Sequence, residues 1–182
     1  MKSGKLVRRF CAGDKREVIL RTPRWEDLDD FLELINSLVA ERADILRAES
    51  VSREEEIDFL ARVLSRLEKD ELFFLVAEVD GKVIAASDIS RRTGYEAHVG
   101  VLGIAIKSGF RDLDIGTEMM KTLIKQAEKM GLKVLTLTAF ASNSRAIHVY
   151  EKVGFVQTGR VPKKHFKDGQ YIDEIIMTKL LE

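Results

Sequence analysis

Val99–Gly131 reads VGVLGIAIKSGFRDLDIGTEMMKTLIKQAEKMG. The run Val99–Ile106 is almost entirely apolar, which is typical of a strand buried on both faces. Ser108 and Gly109 end this strand, and apolar residues then recur at helical spacing as far as Gly131. A helix N-terminus presents free N–H groups and the positive end of the dipole, so the turn before this helix is suited to bind phosphate. The alternative is a plain strand-to-helix connection that contains a glycine.

A second unit, Asn143–Phe155, reads NSRAIHVYEKVGF and predicts a helix capped by Asn143. Asn143 and Tyr150 are seven residues apart, about two helical turns, so they lie on one face of that helix. Each side chain alone also fits a structural role, the Asn as a cap and the Tyr as a half-buried packing residue.

The rest of the chain alternates between helical and strand patterns. Two helices are predicted, one after Pro23 and one capped by the pair Ser52 and Glu55. The dipeptide Asp80-Gly81 between two apolar runs predicts a hairpin. Strands are also predicted at Glu17–Arg21, Val134–Phe140, Phe155–Val161 and Tyr171–Leu180. The predicted order is β-α-α-β-β-β-α-β-α-β-β, a mixed α/β fold with a largely antiparallel first half.

Length and composition favour one globular domain without a structural metal. The chain has 182 residues, 45% of them hydrophobic, with 30 basic and 30 acidic side chains. Zero net charge argues against a nucleic-acid partner, and no apolar run is long enough to cross a membrane. One cysteine, Cys11, and three scattered histidines give no metal-ligand spacing. We expect a cytoplasmic protein with a basic N-terminal arm at 1–16, loose or forming an extra edge element, and one domain at 17–182.

Together, the two units resemble the GNAT superfamily of acyl-CoA-dependent N-acyltransferases. The resemblance rests on LGIAI followed by Arg111 and Gly116, and on NSRAIHVYEKVGF, and it covers about residues 17–180. It implies a mostly antiparallel sheet flanked by helices on both faces. It also implies an N-acetyltransferase that moves the acetyl group of acetyl-CoA to a primary amine in a ternary complex. The amine would belong to a protein N-terminus, a polyamine or another small amine, and a homodimer is compatible with the fold.

The resemblance also implies roles for individual residues. The backbone of Ile104, Ala105 and Ile106 would pair with the pantetheine arm, and a backbone N–H of the same strand near Ile104 would polarise the thioester carbonyl. Tyr150 would protonate the departing thiolate, and Glu96 or His98, at the start of the central strand, would be the general base. The remaining cofactor-binding residues are Arg111, Asp112, Leu113, Asp114, Ile115, Gly116 and Thr117 at the pyrophosphate, and Asn143 near the pantetheine or the pyrophosphate.

The turn before this helix departs from the family's pattern at two positions, which leaves a second interpretation of the function open. Asp112 and Asp114 replace glycines of the family's loop; Asp tolerates a left-handed backbone, but its charge opposes a pyrophosphate unless it points outward. These residues favour a non-catalytic GNAT-like module that binds CoA weakly or serves in interactions.

Residues 26–58 carry twelve acidic and three basic side chains. These acidic side chains form either a rim of the acceptor site that attracts a basic amine or simply a solvated helix face.

Overall fold

The computed structural model describes residues 2–182. Its strands and helices follow the predicted order with one additional strand at the N-terminus. The elements are β1 Leu6–Cys11, β2 Glu17–Arg21, α1 Leu28–Ala40, α2 Arg53–Glu68, β3 Leu72–Val79, β4 Lys82–Arg91, β5 Val99–Ile106, α3 Ile115–Lys129, β6 Val134–Phe140, α4 Ser144–Lys152, β7 Val156–Lys167 and β8 Gln170–Leu180. Short 3₁₀ turns at Trp25–Asp27 and Gly94–Glu96 precede α1 and β5.

The strands form one eight-stranded sheet in the order β1-β2-β3-β4-β5-β6-β8-β7. All neighbours are antiparallel except β5 and β6, which run parallel. The basic segment before Glu17 supplies the edge strand β1, paired with β2. The sheet therefore has the mixed, mostly antiparallel form that the resemblance implied.

Helices cover both faces of the sheet because its strands alternate their side chains between two cores. On one face, Phe73, Leu75 and Ala77 pack with α3, and Tyr150 of α4 joins this cluster. On the other face, residues such as Phe74 pack with α1 and α2. The central strands are thus buried on both sides, as their continuous apolar runs predict.

The helix caps and the hairpin turn that local sequence signals predicted are present in the structure. Ser52 Oγ accepts the Glu55 N–H at 3.2 Å, and the Glu55 carboxylate accepts the Ser52 N–H at 2.8 Å. Asn143 Oδ1 caps α4 by accepting the Ala146 N–H at 3.1 Å. Asp80 and Gly81, with φ of 50° and 77°, form the tight turn between β3 and β4.

The C-terminal hairpin is longer than the sequence pattern indicated. β7 continues past Val161 to Lys167 with irregular pairing, so the hairpin turns at Asp168 and Gly169, whose φ values are 52° and 77°. His165, expected in a loop, therefore lies on a strand. Its side chain is only 12% exposed.

Candidate active site

The parallel strands β5 and β6 separate after a short paired stretch. Their register covers Val99–Val101 against Val134–Thr136 and ends there, while β5 stays paired with β4 as far as Ile106. Beyond Val101 the backbone edge of β5 that faces β6 has no strand partner. The resulting cleft has a volume of about 920 Å³.

The cleft collects most of the residues predicted to bind the cofactor. Leu113 and Ile115 are the exceptions, since Leu113 is not among the lining residues and the Ile115 side chain is buried in the core. The predicted residues that line the cleft are Ile104, Ala105, Ile106, Arg111, Asp112, Asp114, Gly116, Thr117, Asn143 and Tyr150.

The turn before α3 keeps a phosphate-binding backbone although two glycines are replaced. Asp112 and Asp114 both have φ of 61°, the left-handed conformation that glycine adopts freely and Asp tolerates. Their carboxylates pair with cations of α4, Asp112 with Arg145 at 3.2 Å and Asp114 with Lys152 at 3.4 Å. The N-cap residue Asp114 makes no side-chain hydrogen bond to the first turn of α3, and free N–H groups at a helix start are suited to bind an anion.

The hairpin of β1 and β2 supports this turn from outside. The Gly13 N–H donates to the Leu113 carbonyl at 3.1 Å. The Arg16 guanidinium lies over the Phe110 ring at 4.4 Å from its centroid. The N-terminal hairpin therefore fixes the backbone that lines one end of the cleft.

Tyr150 contributes a buried phenol to the cleft. Its side chain is buried, lines the cleft and makes no hydrogen bond within residues 2–182. Burial raises the pKa of Tyr150 to about 12, so the phenol holds its proton at neutral pH.

Glu96 and His98 do not reach the cleft. Glu96 ends a 3₁₀ turn, is exposed and faces Arg92 at 3.8 Å, and His98 is an exposed turn residue just before β5. Strand residues advance about 3.3 Å each, so His98 lies roughly 20 Å along the strand from Ile104. The opening is at the other end of β5, so the structure does not bring Glu96 or His98, the residues predicted as the base, to the cleft.

A carboxylate that the sequence pattern did not reveal lies at the opening instead. Asp88 on β4 is opposite Gly103 on β5, and a Cβ built at residue 103 would lie 3.0 Å from Asp88 Oδ1. The Ser90 hydroxyl donates to Asp88 Oδ2 at 3.1 Å. Burial raises the pKa of Asp88 to about 6, although Ser90 and the charge of Arg66 oppose the shift.

Asp88 lines a second cavity of about 570 Å³ between the sheet and the helices α1 and α2. This cavity meets the cleft at Gly103, Ile104 and Ala105, which line both. Three aromatic rings of its wall contact one another with centroids 5.8–6.3 Å apart. The apolar wall consists of Phe31, Leu34, Ile35, Leu38, Phe59 and Phe74.

Most of the acidic residues of segment 26–58 are exposed to solvent. Several of its carboxylates pair with cations from other elements. The pairs are Asp27–Arg21, Asp29–Arg53, Asp30–Lys82, Glu33–Lys107, Glu41–Arg111 and Asp44–Lys167. Its acidic residues that line the second cavity are Glu55, Glu56 and Asp58.

His165 and Glu174 close the far side of the cleft. His165 Nε2 lies 3.4 Å from Glu174 Oε2, and its ring stacks on Phe140 with centroids 4.0 Å apart. Within residues 2–182, no group of three His, Cys, Asp or Glu side chains is placed to hold a metal ion. None of the described helices is both long and apolar enough to span a membrane.

Comparison with known proteins agrees with this geometry. L-amino acid N-acetyltransferase AaaT of Escherichia coli strain K12 is 29% identical over 109 residues, 58% of this chain and 67% of that protein. Probable N-acetyltransferase camello of Xenopus tropicalis is 29% identical over 53% of this chain, but the match covers 47% of camello. The chain thus spans between about half and two thirds of these relatives.

A solved structure shares the fold over nearly the whole chain. It is yncA, a putative acetyltransferase from Salmonella typhimurium with its cofactor acetyl-CoA, with a TM-score of 0.80 and 19% identity, covering 91% of this chain and 94% of that one. The sequence model of the Acetyltransferase (GNAT) family, whose acetyl donor is acetyl-CoA, matches residues 32–155. This chain therefore belongs to the GNAT family of N-acetyltransferases.

Proposed function

We propose that the chain transfers the acetyl group of acetyl-CoA to a primary amine by direct attack, with Asp88 as general base and Tyr150 as general acid. The observation that carries this proposal is the position of Asp88. Its carboxyl lies beside Gly103, where the cleft between β5 and β6 meets the apolar cavity under α1 and α2. A donor in the cleft and an amine in the cavity would meet at this point.

The residues of the cleft fit the donor. The unpaired edge of β5 offers Ile104–Ile106 to the pantetheine amides, as an added strand would pair. The free N–H groups at the start of α3 suit the pyrophosphate, and Asn143 lines the wall between them. Arg111, whose Nε donates to the Ile106 carbonyl at 2.9 Å, fixes the end of β5 against the phosphate turn.

Each proton has a stated place in the reaction. Acetyl-CoA supplies an acetyl thioester, so a C–N bond forms while the C–S bond breaks. Asp88 takes one proton from the ammonium group of the acceptor and releases it to solvent. Tyr150 gives its proton to the departing sulfur and regains one from the nitrogen that becomes the amide. A β5 N–H near Ile104 stabilises the charge that develops on the carbonyl oxygen.

The non-catalytic alternative loses its main support in this arrangement. It rested on the carboxylates of Asp112 and Asp114, and each of them has a cationic partner on α4. The relative AaaT, named as an L-amino acid N-acetyltransferase, also favours a small amine acceptor for this chain.

Steady-state thiol release from acetyl-CoA across a panel of amines tests the proposal. We expect Asp88→Asn to lower kcat about 100-fold and Tyr150→Phe to lower it about tenfold or more, with little change in acetyl-CoA binding. Glu96→Gln and His98→Ala, outside the cleft, are the matched controls and should keep the wild-type rate. Full activity of Asp88→Asn, or a loss of activity in Glu96→Gln, would contradict the assignment.

A further inference from the structure

Glu56 lies on the buried face of α2, whereas a carboxylate ordinarily lies on the exposed face of a surface helix. The buried residues of α2 are Glu56, Leu60, Val63 and Leu67, which recur at helical spacing. Glu56 therefore occupies the stripe that faces the sheet, and its side chain is 5% exposed. A buried carboxyl of this kind ordinarily has a hydrogen-bonding or cationic partner.

No such partner exists for Glu56 within residues 2–182. Its carboxyl makes no hydrogen bond and no ion pair there. Arg47 is the cation whose charge acts on it, but Arg47 Nη2 donates to Glu55 Oε1 at 2.8 Å and its Nε to the Glu49 carbonyl at 3.2 Å. Burial raises the pKa of Glu56, and Arg47 opposes the shift only in part.

Asp88 lines the same cavity and, within residues 2–182, also lacks an ion pair. The one hydrogen bond of its carboxyl in this part of the chain comes from the Ser90 hydroxyl, and Arg66 acts on it at longer range. The other charged residues of the cavity are the pair Arg47 and Glu55, and the exposed Asp58 and Arg62. The cavity thus holds two carboxyls that form no ion pair within the described residues, and aromatic rings form part of its wall.

We propose that the acceptor is a diamine, with one ammonium group at Asp88 and the second held by Glu56. Its methylene chain would lie against Phe31, Phe59 and Phe74, because such a chain is apolar between its two charged ends. The proposal rests on the proposed function and narrows its acceptor. An acceptor with a carboxylate in place of the second ammonium would place like charge next to Glu56.

Three acceptors of equal length test whether the site prefers a second ammonium group, an apolar end or a carboxylate. Cadaverine, pentylamine and δ-aminovalerate share a five-carbon skeleton but end in a cation, a methyl group and an anion. In thiol-release assays with saturating acetyl-CoA, we expect kcat/KM for cadaverine to exceed that for pentylamine at least tenfold, with δ-aminovalerate the poorest. A preference for δ-aminovalerate, or equal use of all three, overturns the proposal.

Glu56→Gln removes the charge and keeps the size of the side chain. We expect it to reduce the ratio of kcat/KM between cadaverine and pentylamine to about one, through KM for cadaverine. Glu54→Gln is the matched control, since Glu54 is exposed on the same helical turn, and should keep the wild-type ratio. Equal losses for both amines in Glu56→Gln would mean a structural role and contradict the proposal.

Calorimetric titration of cadaverine and pentylamine into the whole protein separates this inference from the proposed function. Tighter binding of cadaverine that disappears in Glu56→Gln, without acetyl transfer to any amine, supports the diamine site and contradicts the enzymatic proposal. Acetylation of pentylamine and cadaverine at equal efficiency, with no preference in binding, supports the enzyme and contradicts the diamine site.

Discussion

Asp88 owes its properties to the register of two strands. Because β4 and β5 pair Asp88 with Gly103, the carboxyl has no side chain opposite it and remains open to the site. The same position is largely buried against α1 and α2, which raises the pKa of Asp88 to about 6. A carboxyl with this pKa is mostly ionised at neutral pH and is a stronger base than an exposed one.

The raised pKa predicts that Asp88 lowers the stability of the protein at neutral pH. The folded value of about 6 exceeds the ordinary 3.8, so the free energy of unfolding falls as pH rises between these values. We expect Asp88→Asn to raise the free energy of unfolding at pH 7 by about 3 kcal/mol and to have little effect below about pH 4. Urea unfolding at both pH values measures this, with the exposed Asp58→Asn as control. A destabilised Asp88→Asn at pH 7 would contradict the assignment.

Asp112 and Asp114 show how a loop keeps its backbone while changing its charge. Both adopt the left-handed conformation for which glycine is ordinarily chosen, and both hold a cation of α4 beside the phosphate turn. The carboxylates repel a pyrophosphate, whereas the Arg145 and Lys152 that they hold attract it. The two effects oppose each other, and substitution shows which is larger.

We expect Asp114→Asn to tighten acetyl-CoA binding about fivefold. The amide tolerates the left-handed backbone, removes one negative charge and releases Lys152 toward the anion. Calorimetric titration with acetyl-CoA at low and high salt measures the change, which should shrink as salt screens it. Asp80→Asn, another left-handed Asp in the turn between β3 and β4, is the control. Weaker binding by Asp114→Asn would mean that this carboxylate assists the cofactor.

At the scale of elements, the N-terminal hairpin acts as a brace for the phosphate turn. Besides the Gly13 hydrogen bond to Leu113 and the stacking of Arg16 on Phe110, Arg8 of β1 pairs with Glu118 of α3 at 2.6 Å. The hairpin thus contacts both the turn and the helix that would hold the pyrophosphate.

The double variant Arg8→Gln, Arg16→Gln is expected to raise KM for acetyl-CoA about fivefold and to leave kcat nearly unchanged. A cation–π contact and a partly exposed ion pair together contribute about 1 kcal/mol, which corresponds to roughly this factor. The control is Arg9→Gln, whose partner Glu17 lies within the hairpin at 3.5 Å. The same change in KM for the control would indicate an effect of net charge rather than bracing.

Local sequence signals predicted most helices and strands. The residues of the site whose positions depend on strand pairing or on packing between distant elements could not be predicted in this way. Asn143 and Tyr150 could be recognised because the geometry of a single helix determines both the position of the cap residue Asn143 and the face on which Tyr150 lies. Asp88 could not, because its role depends on which residue of β5 lies opposite it. Glu56 could not be recognised either, because a carboxylate near a helix N-terminus ordinarily faces solvent, and only the packing of α2 on the sheet buries it beside Leu60.

In the whole molecule, the pairing between β5 and β6 is short, as is the pairing between β2 and β3. Three residue pairs join β5 to β6, whereas seven join β4 to β5 and seven join β6 to β8. The hydrophobic core under α1 and α2 contains strand residues of β3, β4 and β5. Among the described residues, none of this core belongs to β6, β7 or β8. The two halves are therefore joined mainly by the core under α3, which contains Leu102, Leu135 and Leu137.

A donor bound in the cleft would connect these halves, so we expect acetyl-CoA to stabilise the entire chain. At a concentration 100 times its Kd, binding to the folded state alone adds about 2.7 kcal/mol to the free energy of unfolding. Urea unfolding with and without acetyl-CoA measures this, and hydrogen exchange should slow most in β5, β6 and the start of α3. ADP, which lacks the pantetheine arm, is the control and should protect the start of α3 but not β5. No stabilisation at millimolar acetyl-CoA would contradict the use of this cleft and, with it, the proposed reaction.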